Sequence, residues 1–273
     1  MTTALYSKAG AIFLGAAIFG IGTIHIVIGS FPSGFLPVPP SLMGKTILAY
    51  LDGLAMICAG ALIVTGKFQK AGAIMAVAIF SVLLLILHLP NLVAHIHDAN
   101  EWTGTFEVAS ILGGALVLTG SILTHEAKQS NKDSWHILIA LGRYFLAISF
   151  FVFGILHFEF EKYIETLIPT WLPFTAFWSY LVMISFFALF VSFVTNKFVL
   201  LSSYLAFLMY GIWLLILHGP LVATHLDVEP QWTSFFVALA MCGIGLLVYS
   251  SVKESLNKFG TIGVLNSETQ NIK

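Results

Sequence analysis

The stretch HLPNLVAH at residues 88–95 returns as HGPLVATH at residues 218–225, which is 130 positions later. Each copy continues an apolar run that ends in LLILH, and each is followed by an acidic loop and a Trp-Thr pair, at residues 102–103 and 232–233. Two histidines, a proline and a tryptophan in the same register twice indicate an internal duplication. The sequence therefore predicts two copies of one structural unit that each present this stretch.

The composition places the chain in a lipid bilayer. Hydrophobic residues make up 58% of the sequence and charged residues only 9%, whereas about a quarter of the residues of a soluble domain are charged. Such a chain lacks the polar residues to cover a water-facing surface. The net charge is −1 and no basic tract occurs, so no nucleic-acid partner is indicated.

Eight apolar runs are long enough to cross the membrane as helices, which need about 20 residues each. We predict an all-α integral membrane protein whose spans cover approximately residues 10–29, 44–65, 70–90, 105–124, 138–157, 176–195, 198–218 and 233–252.

Lysine and arginine predict the orientation of these spans, because cytoplasmic loops carry an excess of both. With eight spans, nearly all of these residues fall on one side, and only Lys45 and Lys162 fall on the other. Both termini are thus predicted to be cytoplasmic. The histidine-rich loops are then periplasmic, in a multi-pass protein of the bacterial inner (plasma) membrane.

The duplication extends over the whole chain. The motif Gly22-x-x-His25 matches Gly154-x-x-His157 at an offset of 132. A unit with four spans returns to its starting side, so the two copies are expected to be parallel repeats, related by an axis along the membrane normal. The predicted divisions are a first four-helix bundle at 5–125, a cytoplasmic linker at 126–137, a second four-helix bundle at 138–252 and a polar tail at 253–273.

Three motifs of the second half carry a family resemblance: GILHF at residues 154–158, IPTWLP at 168–173 and FW at 177–178. Together with the His-x-Pro and Trp-Thr elements, they resemble the DoxX/DoxD-like family of four-helix membrane proteins. The resemblance covers each half separately, which implies a tandem fusion of two such units. It also implies a link to quinone chemistry, since the best-understood members take part in thiosulfate:quinone oxidoreduction.

Six histidines recur in register and form the candidate site. On the predicted topology, three of them converge at the outer end of each bundle. Imidazole is a common ligand of metals and of haem, and facing helices of a bundle can hold such a cofactor. We therefore predict haem b or copper bound here; the alternative is that each histidine caps a helix end. The histidines are His25, His88 and His95 in the first half and His157, His218 and His225 in the second.

Two acidic residues inside predicted spans, Asp52 and Glu107, are the candidate catalytic groups. Each is expected at the height of the histidines, where a carboxylate can orient a ligating imidazole or exchange protons with a quinone. Helix capping is the alternative for Asp52. Trp102 and Trp232 are candidate walls for a cofactor or a quinone ring, or else anchors at the membrane interface.

These observations predict an oxidoreductase-type membrane protein. Electrons would pass between a periplasmic small molecule and the quinone pool, through a redox centre that the histidines bind or that an extrinsic or membrane partner subunit supplies. Two alternatives stay open: a transporter or binding protein for a small solute or metal ion, and a membrane anchor for an extrinsic enzyme. The nine prolines lie at the predicted outer helix ends, away from the midplane where transporters break their helices.

Overall fold

The computed structural model describes residues 3–39, 42–127 and 135–270, with side chains described up to residue 257. Over these residues it contains eight helices that are long and apolar enough to cross a membrane, which confirms the all-α prediction and its eight spans. The helices are α1 Thr3–Ile28, α2 Lys45–Thr65, α3 Gln69–Ala94, α4 Ala99–Ala127, α5 His136–Glu159, the short α6 Glu161–Leu167, α7 Thr175–Thr195, α8 Val199–Thr224 and α9 Glu229–Gln270.

The structure differs from the prediction mainly at the helix ends. The last helix continues past the predicted boundary at residue 252 and ends at Gln270. The short helix α6 was not predicted, because its seven residues are too few to show a clear period. The predicted linker includes residues 128–134, and the predicted tail includes residues 271–273; both stretches lie outside the described residues.

The helices of each half of the sequence pack on one another in series. Helix α1 packs on α2, α2 on α3 and α3 on α4, while α5 packs on α7 and α8 on α9. We call α1–α4 the first bundle, and α5, α7, α8 and α9 the second bundle. Between the bundles, α1 packs along α9, α4 packs along α5, and α4 touches α9.

Pairs of glycines set the distance between the two bundles. A Cβ atom on Gly10 would lie 2.7 Å from the carbonyl oxygen of Gly243, and one on Gly142 would lie 2.4 Å from that of Gly113. Real Cβ atoms do not approach other atoms this closely, so only glycine fits at these four positions. Small residues allow helix backbones to approach in a bilayer, where van der Waals contact replaces the hydrophobic effect.

The two bundles differ in their internal packing. In the first bundle α1 and α2 also meet at glycines: a Cβ atom on Gly22 would lie 2.6 Å from the carbonyl oxygen of Gly53. In the second bundle Gly154 instead faces the ring of Phe187, and further phenylalanine rings stack between α5 and α7, such as Phe151 on Phe190. Between α5 and α7, aromatic rings thus take the place that backbone contacts have between α1 and α2.

The loop after α1 closes the first bundle from one end. The backbone N–H groups of Phe35 and Leu36 both donate to the carbonyl oxygen of Pro32, at 3.0 and 2.8 Å. This turn drives the side chains of Phe35 and Leu36 into the core, where both are fully buried. The corresponding segment of the second half forms α6, which has no buried residue.

Both copies of the LLILH sequence adopt the wider π-helical form, at Leu83–His88 and Leu214–His218. Each π segment comes just before a proline, Pro90 or Pro220. Proline has no N–H to donate and its ring displaces the carbonyl four residues earlier, so the helix widens there. Such π segments often mark functional sites, and each of these two ends on a histidine.

A methyl group at the glycine contact between α1 and α9 is expected to destabilise the protein. In Gly243→Ala the new Cβ atom would lie 2.6 Å from the carbonyl oxygen of Gly10, and such overpacking costs about 1–3 kcal/mol. Thermal unfolding in detergent measures the effect. The control is Gly211→Ala, whose Cβ atom would make an ordinary contact of 3.6 Å with Cys242; it should unfold at the wild-type temperature or above it. Equal unfolding temperatures for the two variants would contradict the packing.

Candidate functional site

The first bundle contains a buried histidine–carboxylate pair. The ring of His25 is fully buried, and its Nδ1–H donates to the carbonyl oxygen of Ile21 at 2.8 Å. A carbonyl oxygen can only accept, so Nδ1 carries a hydrogen, and the other ring nitrogen, Nε2, faces Asp52 Oδ2 at 3.4 Å. An imidazole lone pair and a carboxylate oxygen both accept. The pair is therefore suited to share one proton between Nε2 and the carboxylate.

His88, at the end of the π segment of α3, is the second fully buried histidine of the first bundle. Neither of its ring nitrogens has a hydrogen-bond partner among the described residues. The ring of His88 lies beside Gly104, where a Cβ atom would be at an ordinary contact distance of 3.6 Å from His88 Cε1. A buried imidazole without a partner is rare and costly, and it marks His88 as a site residue rather than a helix cap.

His95 and His225 do not join the buried histidines. Both are exposed, because α3 and α8 end at the preceding residue and the chain turns away. Their Nδ1 atoms bond to backbone carbonyl oxygens of their own helices, at Asn91 (3.1 Å) and Leu221 (3.2 Å). The expected convergence of three imidazoles per bundle is therefore not seen for these two residues, which cap helix ends.

The histidines do not assemble into a multi-ligand metal centre. Within the ranges described, no group of three or more His, Cys, Asp or Glu side chains is placed to hold a metal ion. The donor set of the first bundle amounts to the His25–Asp52 pair and the separate ring of His88. These residues do not fit a copper site of three protein ligands. Haem b or copper on the histidines thus stays a prediction.

Trp102 and Trp232 hold loops rather than line a cavity. The indole N–H of Trp102 donates to the carbonyl oxygen of Ile96 at 2.8 Å, and that of Trp232 donates to Leu226 at 3.1 Å. Each indole also packs on a phenylalanine four residues later, with ring centroids 5.8 and 6.1 Å apart. The contacts repeat with an offset of 130, and they fix the loop that follows each His-x-Pro stretch.

A half-open cavity of about 490 Å³ lies in the second bundle, with α4 contributing to its wall. This volume lies within the range of small-molecule sites, roughly 300–1,000 Å³. Its wall is mostly apolar and aromatic, and α6 covers one side with Tyr163, Ile164 and Leu167. The other main apolar wall residues are Phe153, Leu156, Val182, Phe186, Met209, Trp213, Leu217 and Met241.

Two histidines of the duplicated motif line this cavity. The Nδ1–H of His157 donates to the carbonyl oxygen of Phe153 at 2.9 Å, which leaves its Nε2 as an acceptor. For His218, the buried Nδ1 has no partner in the described part of the chain. Ser179 is also buried at the cavity wall, and its hydroxyl is equally unpaired there.

Glu107 joins this cavity although it belongs to a helix of the first bundle. It lies on α4, at the boundary between the bundles, and lines the cavity together with His157 and His218. Its counterpart in the repeat, Val237, lines the same cavity. The sequence predicted only the depth of Glu107 in the membrane. Spacing along α4 does not show whether a residue of this helix lines the first bundle or the second.

Tyr210 completes the polar part of the cavity and was missed in the sequence. Its counterpart at an offset of 130 is Phe80, and the counterpart of Ser179 is Ala49. A polar residue that replaces an apolar one between two aligned repeats is the signal that would have found both. The counterpart of Asp52 is Val182, so each bundle has its own arrangement of polar groups.

We expect His25 and Asp52 to be energetically coupled. In a double-mutant cycle with His25→Leu and Asp52→Val, the two losses of unfolding free energy should be non-additive by about 0.5–3 kcal/mol, since the shared proton links the two side chains. The control cycle pairs Asp52→Val with His157→Leu, the repeat counterpart of His25 in the other bundle. This control should be additive. Additivity in both cycles would contradict a shared proton.

Comparison with known proteins finds no family model, no curated protein and no solved structure that matches this chain. The DoxX/DoxD-like resemblance therefore stays a prediction based on the motifs of the sequence. Function is inferred from the geometry and chemistry of the two bundles.

Proposed function

We propose that this protein is a quinone-linked membrane oxidoreductase that binds the quinone headgroup in the cavity of the second bundle. The observation that carries the proposal is the composition of that cavity. Apolar and aromatic walls surround a small set of proton-exchanging groups, which are Glu107, Tyr210, His157 and His218. Ionisable side chains are rare inside membrane spans because burying them there is costly, so each one is a candidate for a functional role.

The cavity suits a quinone ring by shape and by polarity. A quinone is a flat apolar ring with two carbonyl oxygens that accept hydrogen bonds. Phe153, Phe186 and Trp213 provide aromatic surface for the ring, while the hydroxyl of Tyr210 is a donor for a carbonyl oxygen. The apolar walls on the bilayer side accept the lipid-soluble tail.

The polar groups supply the protons that quinone reduction consumes. Quinone takes up two electrons and two protons to form quinol, one proton on each oxygen. Glu107 can deliver one of them as a general acid, and a ring nitrogen of His157 or His218 can deliver the other. Because the carbonyl oxygen of Phe153 holds the Nδ1–H of His157, His157 exchanges protons at Nε2, and it acts as the acid from its imidazolium form, which carries a hydrogen on both nitrogens.

The electrons come from a small molecule at the outer face in this proposal. Both cysteines, Cys58 and Cys242, are free and lie on helices α2 and α9, so the described chain contains no disulfide pair to relay them. We propose a redox group on the buried histidines, or a partner subunit, as the intermediate carrier. The paired, rather than clustered, side chains of the first bundle favour the partner subunit.

The proposal includes the orientation and symmetry of the two bundles. We infer two parallel repeats with cytoplasmic termini and a periplasmic His-x-Pro end, in a bacterial inner membrane. Recurring contacts support the symmetry: the glycine pairs between the bundles are repeat counterparts of one another, and so are the two indole contacts. The distribution of lysine and arginine supports the orientation.

Filling the cavity is expected to abolish quinone binding. Ala238 lines the cavity, and Ala238→Phe places a ring inside it, so the dissociation constant for a short-tailed quinone should rise at least about tenfold. Quenching of tryptophan fluorescence measures it, because Trp178 and Trp213 line the cavity. The matched control is Ala188→Phe on α7, which is exposed on the outside of the same bundle.

Wild-type affinity is expected for the Ala188→Phe control. Equal quinone affinity in Ala238→Phe and in the control would refute the site. Tight binding of a saturated, redox-inactive lipid alcohol in place of quinone would refute the oxidoreductase and favour a solute-binding protein.

The cofactor prediction has its own measurement, which is independent of quinone binding. Haem bound to the buried histidines gives a Soret band that shifts when dithionite is added. The band should disappear in His88→Ala and persist in His95→Ala, because His88 is buried and His95 is exposed. Bound copper would appear in elemental analysis instead. Metal-free protein without a Soret band contradicts histidine-bound cofactors and does not affect the quinone site.

A further inference from the structure

A second cavity, also of about 490 Å³, opens at the other end of the helices. It lies between the end of α4, the beginning of α5, the beginning of α8 and the stretch of α9 from residue 251 to residue 256. Its wall is more polar than that of the quinone cavity, and no residue of the proposed quinone site lines it. The residues that matter for its chemistry are Thr124, Arg143, Val199 and Leu200.

Arg143 lines this cavity and has a hydrogen-bond donor that is unpaired within the described chain. One terminal nitrogen, Nη2, donates to the carbonyl oxygen of Phe193 at 3.2 Å and thereby caps the end of α7. This contact fixes the guanidinium group in place. The inner nitrogen, Nε, is buried and has no acceptor among the residues described. A guanidinium is always charged and presents its N–H groups as a planar fork that matches the oxygens of carboxylates and phosphates.

Thr124 contributes a second unpaired donor. It is only 5% exposed, and its hydroxyl has no partner within the described ranges. A threonine in a helix usually bonds to a carbonyl of the preceding turn, so a hydroxyl that leaves this bond unmade and lines a cavity is positioned for a ligand.

The beginning of α8 contributes a third set of donors. Its first N–H groups have no helical acceptor, and the preceding residue, Phe198, makes no side-chain cap. Val199 and Leu200, the first two residues of this helix, line the cavity. The N-terminus of a long helix also carries a partial positive charge, which favours anions.

We propose that this cavity binds a phosphate group, supplied by the headgroup of a membrane phospholipid. The guanidinium Nε–H, the threonine hydroxyl and a free helix N-terminus are all donors, and a phosphodiester provides several acceptor oxygens for them. The cavity opens at the helix ends, where headgroups lie, and basic pockets between membrane helices bind such groups. Glu254 and His136 also line it, and each has an interaction of its own.

Among the described residues, this site shares no lining residue with the proposed quinone site. The repeat counterpart of Arg143 is Ala11, and that of Thr124 is Glu254. The duplication therefore does not explain these two residues. A lipid bound here would contact α4, α5, α8 and α9 together, and so would hold the two bundles against one another at this end.

Native mass spectrometry of the full chain in detergent tests the proposal. Four probes are compared: phosphatidylglycerol, phosphatidylethanolamine, diacylglycerol, which lacks the phosphate, and inorganic phosphate. We expect one-to-one adducts with both phospholipids and none with diacylglycerol. Thr124→Val, which removes only the hydroxyl, should weaken phospholipid binding roughly fivefold, as expected for one net hydrogen bond. Arg143→Gln should weaken it more, with partial recovery in Arg143→Lys.

Thr119→Val is the matched control. Thr119 lies on the same helix, is buried to the same 5%, and has an equally unpaired hydroxyl, but it does not line this cavity. The Thr119→Val variant should bind both phospholipids with wild-type affinity. Equal binding of diacylglycerol, or equal effects of Thr119→Val and Thr124→Val, would overturn the proposal. An adduct with inorganic phosphate but with neither phospholipid would overturn the lipid as the source of the phosphate.

Discussion

The backbone contacts at Gly10–Gly243 and Gly113–Gly142 are the constraint on which the rest of the structure depends. In a bilayer, lipid tails are as apolar as the helices, so helices associate only where surfaces fit closely. Gly10 corresponds to Gly142 in the repeat, and Gly113 to Gly243. One close-contact surface thus occurs twice, and it joins α1 to α9 and α4 to α5. This places α4 and α9 at the centre, and a side chain on α4, Glu107, can therefore line a cavity of the other bundle.

Glycine also explains why the two bundles pack differently. Glycines at the α1–α2 contact bring those helices together, and Phe35 fills the remaining space. At the corresponding α5–α7 contact, Phe187 packs on Gly154 and holds the helices apart. We call the first bundle, with its close glycine contacts, the closed bundle, and the second bundle, with its cavity, the open bundle. In the function that we propose, the quinone binds in the open bundle.

The eight membrane-spanning helices could be predicted from the sequence, because the length of an apolar run is a property of the chain itself. The sequence did not show which histidine side chains lie together in the folded protein. His88 and His95 are seven residues apart and would share a face of a regular helix. The π segment at Leu83–His88 shifts this register, and α3 ends before His95. The cavity was also not predictable, since its existence depends on the spacing of two helices.

The different packing of the two bundles explains where the two acidic residues, Asp52 and Glu107, lie. In the closed bundle a carboxylate is tolerable only if a neighbour can share its proton, and His25 provides that neighbour for Asp52. In the open bundle the matching position is Val182, and the acid is Glu107, at the wall of a cavity that a ligand can enter. An acid whose proton is held by an adjacent imidazole is poorly placed to give it to a bound molecule. An acid that lines a cavity is free to do so, and for this reason we propose Glu107 as the proton donor.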